Sequence, residues 1–123
     1  MLLRFIVFLC FVSFFSCSAP PDQVGDLDLV QWRADKKGCQ NIRKTLLKDF
    51  EKIEPRLLGE HIDKVGHWLG KPDFHQLARR DQKLYVYFLE QGPQCQDITQ
   101  KSSAAKVILR FNAVGLLTEV MYE

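Results

Sequence analysis

The spacing of apolar residues changes at Asp73, and this change constrains the fold more than any other feature of the sequence. Before Asp73, apolar residues recur every three or four positions, as they do along one side of an α-helix. After it they alternate with polar residues between turn signals, as in β-strands. A helical segment followed by an antiparallel meander predicts an α+β fold: a two-layer sandwich with two helices on one face of a sheet of about four strands.

The first predicted helix carries an apolar stripe, and Arg43 falls on its opposite, polar face. The stripe consists of Ile42, Leu46, Phe50, Ile53 and Leu57. Pro55 lacks an amide proton and clashes with the carbonyl of Glu51, so we expect a kink or break there. A second helix is predicted over 61–69, ended by Gly70 and Pro72. The segment around Trp32 is expected to be an irregular arm.

Four strands are predicted after the helices, over 74–79, 84–89, 106–111 and 116–121. A short polar turn joins the first two strands, and a turn ending at Gly115 joins the last two. A long polar connection, 91–105, separates the two hairpins. Apolar residues occupy both sides of 84–89, which favours a central position in the sheet.

Residues 5–15 read FIVFLCFVSFF, and Arg4 precedes them. A membrane-spanning helix needs about 20 apolar residues, whereas the apolar part of a signal peptide needs roughly 7 to 15. The sequence therefore predicts a signal peptide over 1–16, a proline-containing tether over 17–26 and one α+β domain over 27–123. We expect the mature chain in the cell envelope.

Two cleavage sites compete. Ser16 before Cys17 is the arrangement that lipoprotein processing requires, and it predicts a lipid on Cys17 that anchors the chain to a membrane. The alternative is a plain secreted domain cut after Ala19, but Pro20 is a poor residue to follow a cut. Lipidation at Cys17 is the favoured prediction.

Cysteine usage supports export. Cys10 leaves with the signal peptide and Cys17 takes the lipid, which leaves Cys39 and Cys95 as one pair. An oxidising compartment favours a disulfide between them, and closing so long a loop would stabilise the fold by about 4 kcal/mol. Two unpaired buried thiols are the alternative. A redox-active pair is disfavoured because such cysteines usually lie close in sequence.

Charge and motif patterns exclude several function classes. Without Arg4 the 17 basic residues become 16 against 15 acidic ones, a net charge of +1 with no basic stripe, so nucleic acid is not an expected partner. The spacings of His61, His67 and His75 match no short metal-ligand pair. The sequence contains neither a nucleophile elbow nor a glycine-rich phosphate loop. We expect no enzymatic activity, no metal and no cofactor.

Motifs in the second half of the chain occur in an order typical of one family. They are a helix, Val65-x-x-x-Leu69-Gly70-x-Pro72-Asp73, a strand with Tyr85 and Tyr87, Arg110-Phe111-Asn112, a glycine turn and a last strand. This order, over roughly Gly59 to Val120, resembles the small outer-membrane lipoproteins of the BamE (SmpA/OmlA) type, and a similar shape occurs in β-lactamase inhibitory protein. The resemblance implies an accessory role in β-barrel assembly through protein contacts. The Cys39/Cys95 pair and a longer first helix depart from that family, so no contact residue is carried over.

A second likeness covers most of the mature chain. Its matching features are Trp32-x-x-Asp35-x-x-Gly38-Cys39-x-x-x-Arg43, Leu69-Gly70-Lys71-Pro72-Asp73 and Gly92-Pro93-Gln94-Cys95. Together they resemble bacterial envelope lipoproteins, a likeness that implies a compartment but no activity.

Tyr85, Tyr87 and Arg110 are the candidate binding surface, because aromatic side chains with arginine are typical of protein interfaces. The alternative is that the tyrosines pack under the helices or the N-terminal arm. The sequence therefore predicts a lipid-anchored protein-binding or adaptor domain of an outer-membrane assembly or maintenance type. A secreted enzyme inhibitor acting through the loop 79–83 is the first alternative, and a small-molecule-binding domain is the second.

Overall fold

The computed structural model describes residues 18–123, and the predicted signal peptide and Cys17 lie outside this range. The helices are α1 (Leu29–Ala34), α2 (Ile42–Thr45), α3 (Leu47–Leu57) and α4 (Ile62–Leu69). The strands are β1 (Gln23–Val24), β2 (Leu27–Asp28), β3 (Phe74–Leu77), β4 (Lys83–Phe88), β5 (Lys106–Phe111) and β6 (Leu117–Tyr122).

The four C-terminal strands form one antiparallel sheet in the order β3-β4-β5-β6, and β1 pairs with β2 in a separate ribbon. The predicted α+β fold, with helices packed on a β-meander, is confirmed. The start of β6 is also tied to the segment before α4, because the Gly59 amide donates to the Leu117 carbonyl (2.8 Å). The edge strand β3 therefore lies at the opposite side of the sheet from this link.

The core lies between the helices and one face of the sheet. Trp32 of α1 stacks on Phe50 of α3 with ring centroids 4.8 Å apart, and Tyr87 of β4 packs against Trp32 at 6.1 Å. All three rings are fully buried. The aromatic contacts therefore join α1, α3 and the sheet in one apolar cluster. Removing these rings from water stabilises the folded state.

The N-terminal arm is more regular than the sequence predicts. It forms α1, and Asp28 caps the helix by accepting a hydrogen bond from the Gln31 amide (3.1 Å). Val24 is 9% exposed and belongs to the core. Ordered structure thus begins within 17–26, the range predicted to be a tether.

The first predicted helix divides at Leu46 rather than at Pro55. The Leu46 amide is shared between the carbonyls of Ile42 and Arg43, which ends α2, and α3 then continues through Pro55 to Leu57. Pro55 is exposed and two residues from the helix end, so its missing amide removes one hydrogen bond and no core contact. Among residues 18–123, no helix combines the length and apolar composition that crossing a bilayer needs.

Candidate functional site

A disulfide between Cys39 and Cys95 joins two short 3₁₀ turns, with Cα atoms 5.8 Å apart. The predicted cross-link is therefore present. Gln94, fully buried beside it, donates from Nε2 to the carbonyls of Lys37 (3.1 Å) and Glu90 (2.8 Å). The disulfide and this amide hold the long connection after β4 against the turn before α2.

A buried ion pair ties the helices to the start of β3. Arg43 Nη1 donates to Asp73 Oδ2 at 2.6 Å, and the two side chains are 1% and 4% exposed. Arg43 also donates to the carbonyls of Trp32 (2.8 Å) and Phe88 (3.2 Å). The prediction that Arg43 lies on the exposed side of a helix is wrong, because the break at Leu46 turns it inward.

Asp73 is the centre of this polar cluster. Its carboxylate accepts hydrogen bonds from the amides of Lys37 (2.9 Å) and Phe88 (2.8 Å) besides the bond from Arg43. Both carboxylate oxygens of Asp73 therefore accept hydrogen bonds from other parts of the fold. This pair has no signature in residue spacing, since its partners are 30 residues apart and on different layers.

The predicted binding surface is not a single surface. Tyr87 is fully buried, and its hydroxyl donates to the Gly70 carbonyl at 2.8 Å. Burial raises the pKa of Tyr87, with the positive charge of Arg43 opposing the shift. Tyr87 is thus a core residue, as the alternative interpretation of the tyrosines held.

Tyr85 and Arg110 lie on opposite faces of the sheet. Tyr85 is half-buried on the helix side, where it packs edge-on against Phe111 at 5.1 Å. Arg110 pairs in register with Leu84, which places it on the other face. There it donates to Gln82 Oε1 (3.0 Å). The structure therefore does not bring the three predicted residues together.

Strand β3 is an open edge. All of its residues are exposed, Phe74 by 43% and Leu77 by 72%. The sheet order places β4 on one side of β3, and no described strand pairs with the other side. Natural proteins usually cover or charge such an edge because its free amides and carbonyls can pair with another chain.

A groove of about 460 Å³ runs beside this edge on the helix side of the sheet. Its lining residues are Lys71, Pro72, His75, Gln76, Leu77, Lys83 and Tyr85. Partial burial and the negative charge of Asp63 raise the pKa of the Tyr85 hydroxyl. The lining of the groove combines the apolar surfaces of Pro72, Leu77 and Tyr85 with two lysines.

The hairpin loop between β3 and β4 is exposed and tightly bent. Arg80 and Asp81 have φ angles of 59° and 58°, and the Ala78 amide donates to the Gln82 carbonyl at 2.8 Å. Consecutive positive φ angles are a feature of type I′ hairpins, whose twist suits the flanking strands. Together Arg79 and Arg80 place two cations at the end of the open edge.

A second groove, of about 470 Å³, lies on the face of the sheet away from the helices. The connection 96–105 covers part of that face, with Ala104 and Ile98 packed against Val86 and Phe88. Lys106 Nζ lies 5.2 Å from the Phe88 ring centroid and donates to the Ser102 carbonyl (2.9 Å). The Lys106 ammonium is therefore bound within the fold, unlike the lysines that line the first groove.

His61 and His67 belong to α4 and its cap, and His75 belongs to β3. His61 caps α4, where its Nδ1 accepts a hydrogen bond from the Asp63 amide (3.2 Å). Residues 18–123 contain no group of three or more histidine, cysteine or carboxylate side chains placed to hold a metal ion.

Comparison of the chain with protein-family models, with curated proteins and with solved structures finds no match in any of the three.

Proposed function

We propose that the mature chain is an exported, lipid-anchored, non-catalytic protein-binding module of the cell envelope, of an outer-membrane assembly or maintenance type. The open edge of β3 is the observation that carries this proposal. Phe74 and Leu77 expose apolar surface there beside backbone groups that lack a partner strand. Such an edge is suited to binding another polypeptide.

The position of the N-terminus supports an anchor close to this edge. Arg33 Nη1 donates to both the Pro21 carbonyl (3.0 Å) and the Trp68 carbonyl (2.8 Å). Pro21 therefore lies near the C-terminal end of α4, shortly before β3 begins in the chain. Four extended residues span at most about 14 Å, so a lipid on Cys17 would hold this side of the domain near the membrane.

Photo-cross-linking in living cells tests the proposal. A photoreactive residue at Leu77, 72% exposed, is expected to give a discrete adduct with an exported protein, identified by mass spectrometry. The same residue at Val114, 70% exposed on the β5–β6 turn, is the matched control and should give none. Cys17→Ser should release the chain from the membrane fraction.

Two results would contradict the proposal. One is the absence of any discrete adduct from Leu77 in cells that hold the protein at normal level. The other is a Cys17→Ser chain that stays in the membrane fraction as firmly as the parent chain does.

Inhibition of an enzyme is the second candidate function, and the bent loop Arg79–Asp81 is the observation that favours it. An exposed loop with fixed backbone geometry can enter an enzyme cleft without losing much conformational freedom on binding. Inhibition of a hydrolase by the purified domain, lost in Arg80→Ala and kept in Lys48→Ala on α3, would support this function over the adaptor.

A further inference from the structure

We propose that the open edge of β3 is a strand-addition site for an extended acidic segment of a partner protein. This inference rests on the proposed protein-binding function and specifies how the partner is recognised. Three independent features of the edge support it: the direction of its backbone groups, the groove beside it, and the charges at its two ends.

The first feature is the direction of the backbone groups. Ala78 is bonded to Gln82 across the hairpin, and the register continues with Leu77 opposite Lys83. Hydrogen-bonded residues alternate along an antiparallel strand, so Gln76 bonds to β4 as Ala78 does. His75 and Leu77 consequently present their N–H and C=O groups to the open side. They offer two donors and two acceptors to an added strand.

The second feature is the groove. The side chains of His75 and Leu77 share a face of the sheet with Tyr85 and Lys83, their partners in the β3–β4 register. The groove of about 460 Å³ lies on this same face. Alternate side chains of an added strand would therefore rest in the groove, which is how strand addition obtains specificity.

The third feature is charge. Lys71 precedes β3, Arg79 and Arg80 follow it, and Lys83 faces it from β4. None of these four cations forms an ion pair with a described residue. Of the nearby carboxylates, Asp73 is buried and bonded to Arg43, whereas Asp81 in the hairpin loop and Asp63, whose negative charge acts on Tyr85, are exposed. The four cations outnumber these two exposed carboxylates. The edge is thus flanked by unpaired positive charge, which selects an acidic strand.

The same charges disfavour a second copy of this chain. An antiparallel copy of β3 would place Lys71 of each chain beside Arg79 and Arg80 of the other. Like charges directly across a strand pair are destabilising. A partner with carboxylates at these positions replaces that repulsion with attraction.

Synthetic peptides test the inference on the full mature domain. The probe is a short peptide of alternating valine and glutamate, and its lysine counterpart is the control. We expect the glutamate peptide to bind at least about tenfold more tightly, with affinity that falls as salt is added. In hydrogen exchange, the amides of His75 and Leu77 should gain protection on binding, because they face the open side.

Proline substitution separates backbone pairing from side-chain contact. His75→Pro removes an outward amide, which an edge strand tolerates, and should weaken peptide binding at least about tenfold while leaving the melting temperature near that of the parent. His75→Ala keeps the amide and should bind nearly as the parent does. Gln76→Pro removes an inward amide and should lower the melting temperature.

Charge reversal tests the selection for acidic strands. Lys71→Glu combined with Lys83→Glu should weaken glutamate-peptide binding at least about tenfold and reduce its salt dependence. Lys48→Glu, on the exposed side of α3, should leave binding unchanged.

Several results would overturn the inference. They are equal binding of the two peptides, parent-like binding by His75→Pro, and a dimer of this chain that His75→Pro dissociates. Binding of anionic lipid vesicles that charge reversal abolishes and His75→Pro leaves intact would assign the cations to a membrane surface instead. A Leu77 adduct in cells without acidic-peptide binding would overturn strand addition and leave the proposed function standing.

Discussion

The buried side chain of Arg43 donates hydrogen bonds to three separate segments of the fold, at Trp32, Asp73 and Phe88. Replacing it with methionine keeps an unbranched side chain but removes the guanidinium group and leaves the Asp73 carboxylate buried without its charged partner. Removing one member of a buried pair costs about 3–5 kcal/mol. We expect Arg43→Met to lower the free energy of unfolding by that amount in urea denaturation.

The neighbouring Lys44 provides the matched control. Its side chain is 61% exposed and pairs with Glu90 at 3.0 Å, so solvent screens the interaction. Lys44→Met should change the free energy of unfolding by less than about 1 kcal/mol. Equal losses for the two variants would show that the Arg43–Asp73 pair does not hold the layers together.

Glu90 should make stability depend on pH. Its carboxylate accepts hydrogen bonds from the Ala105 amide (2.9 Å) and from Lys44, and these lower its pKa below the ordinary value of 4.5. A lowered folded-state pKa stabilises the fold above pH 4.5, and this stabilisation is lost as pH falls through the folded-state pKa. Glu90→Gln should flatten the dependence of the melting temperature on pH below 4.5, measured against the parent. An unchanged dependence would contradict this role.

Some site residues could be predicted from the sequence because their role depends on residue type and count. Others could not, because their role depends on which elements pack over them. The pairing of Cys39 with Cys95 could be predicted because the predicted cleavage of the signal peptide and lipidation of Cys17 leave one pair among the four cysteines. The period of two along β4 places Tyr85 and Tyr87 on the same side of the sheet, as their grouping in one predicted surface requires. It could not say that helices cover that side, so Tyr87 was assigned to a surface when it belongs to the core.

At the scale of elements, the disulfide links the turn before α2 to the long connection after β4. Its loop spans a sequence separation of 56 residues, and a cross-link of that length restricts the unfolded chain by about 4 kcal/mol. We expect Cys39→Ser combined with Cys95→Ser to lower the free energy of unfolding by about that amount.

Reduction of the parent protein is the control for this pair of substitutions. It should produce the same loss without changing any side chain other than the two sulfurs. A loss below about 1 kcal/mol in both experiments would mean that Gln94 and its neighbours hold the connection without the cross-link.

The predicted ends of the helices and strands agree with the structure in some elements and not in others. The period of apolar residues predicted the sheet and α4 closely, and β5 agrees with its predicted range of 106–111. The helix before α4 was predicted as continuous because a stripe reports which side is buried, not where hydrogen bonding is interrupted. The cap at Asp28 was the signal available for α1, and the six residues that follow are too few for the spacing of Leu29 and Trp32 to establish a helical period.

At the scale of the whole molecule, both faces of the sheet are covered to different extents. Helices cover one face, and the connection 96–105 covers part of the other through Ala104 and Ile98. The β6 edge is linked to the segment before α4 through its first residue, Leu117, whereas no such link is found at the β3 edge among the described residues. The candidate site is therefore a product of topology. A sequence pattern could predict the strand, but its place at an uncovered edge depends on strand order.

We propose that export connects the disulfide, the predicted membrane anchor and the open edge, because a partner in the envelope would be reached only outside the cytosol. Intact-mass analysis of the protein purified from cells, with and without reductant, tests this most directly. Export predicts a chain that begins at an acylated Cys17 and gains the mass of two hydrogens on reduction. A chain that still carries Met1, with an unmodified Cys17 and no mass change on reduction, would contradict it.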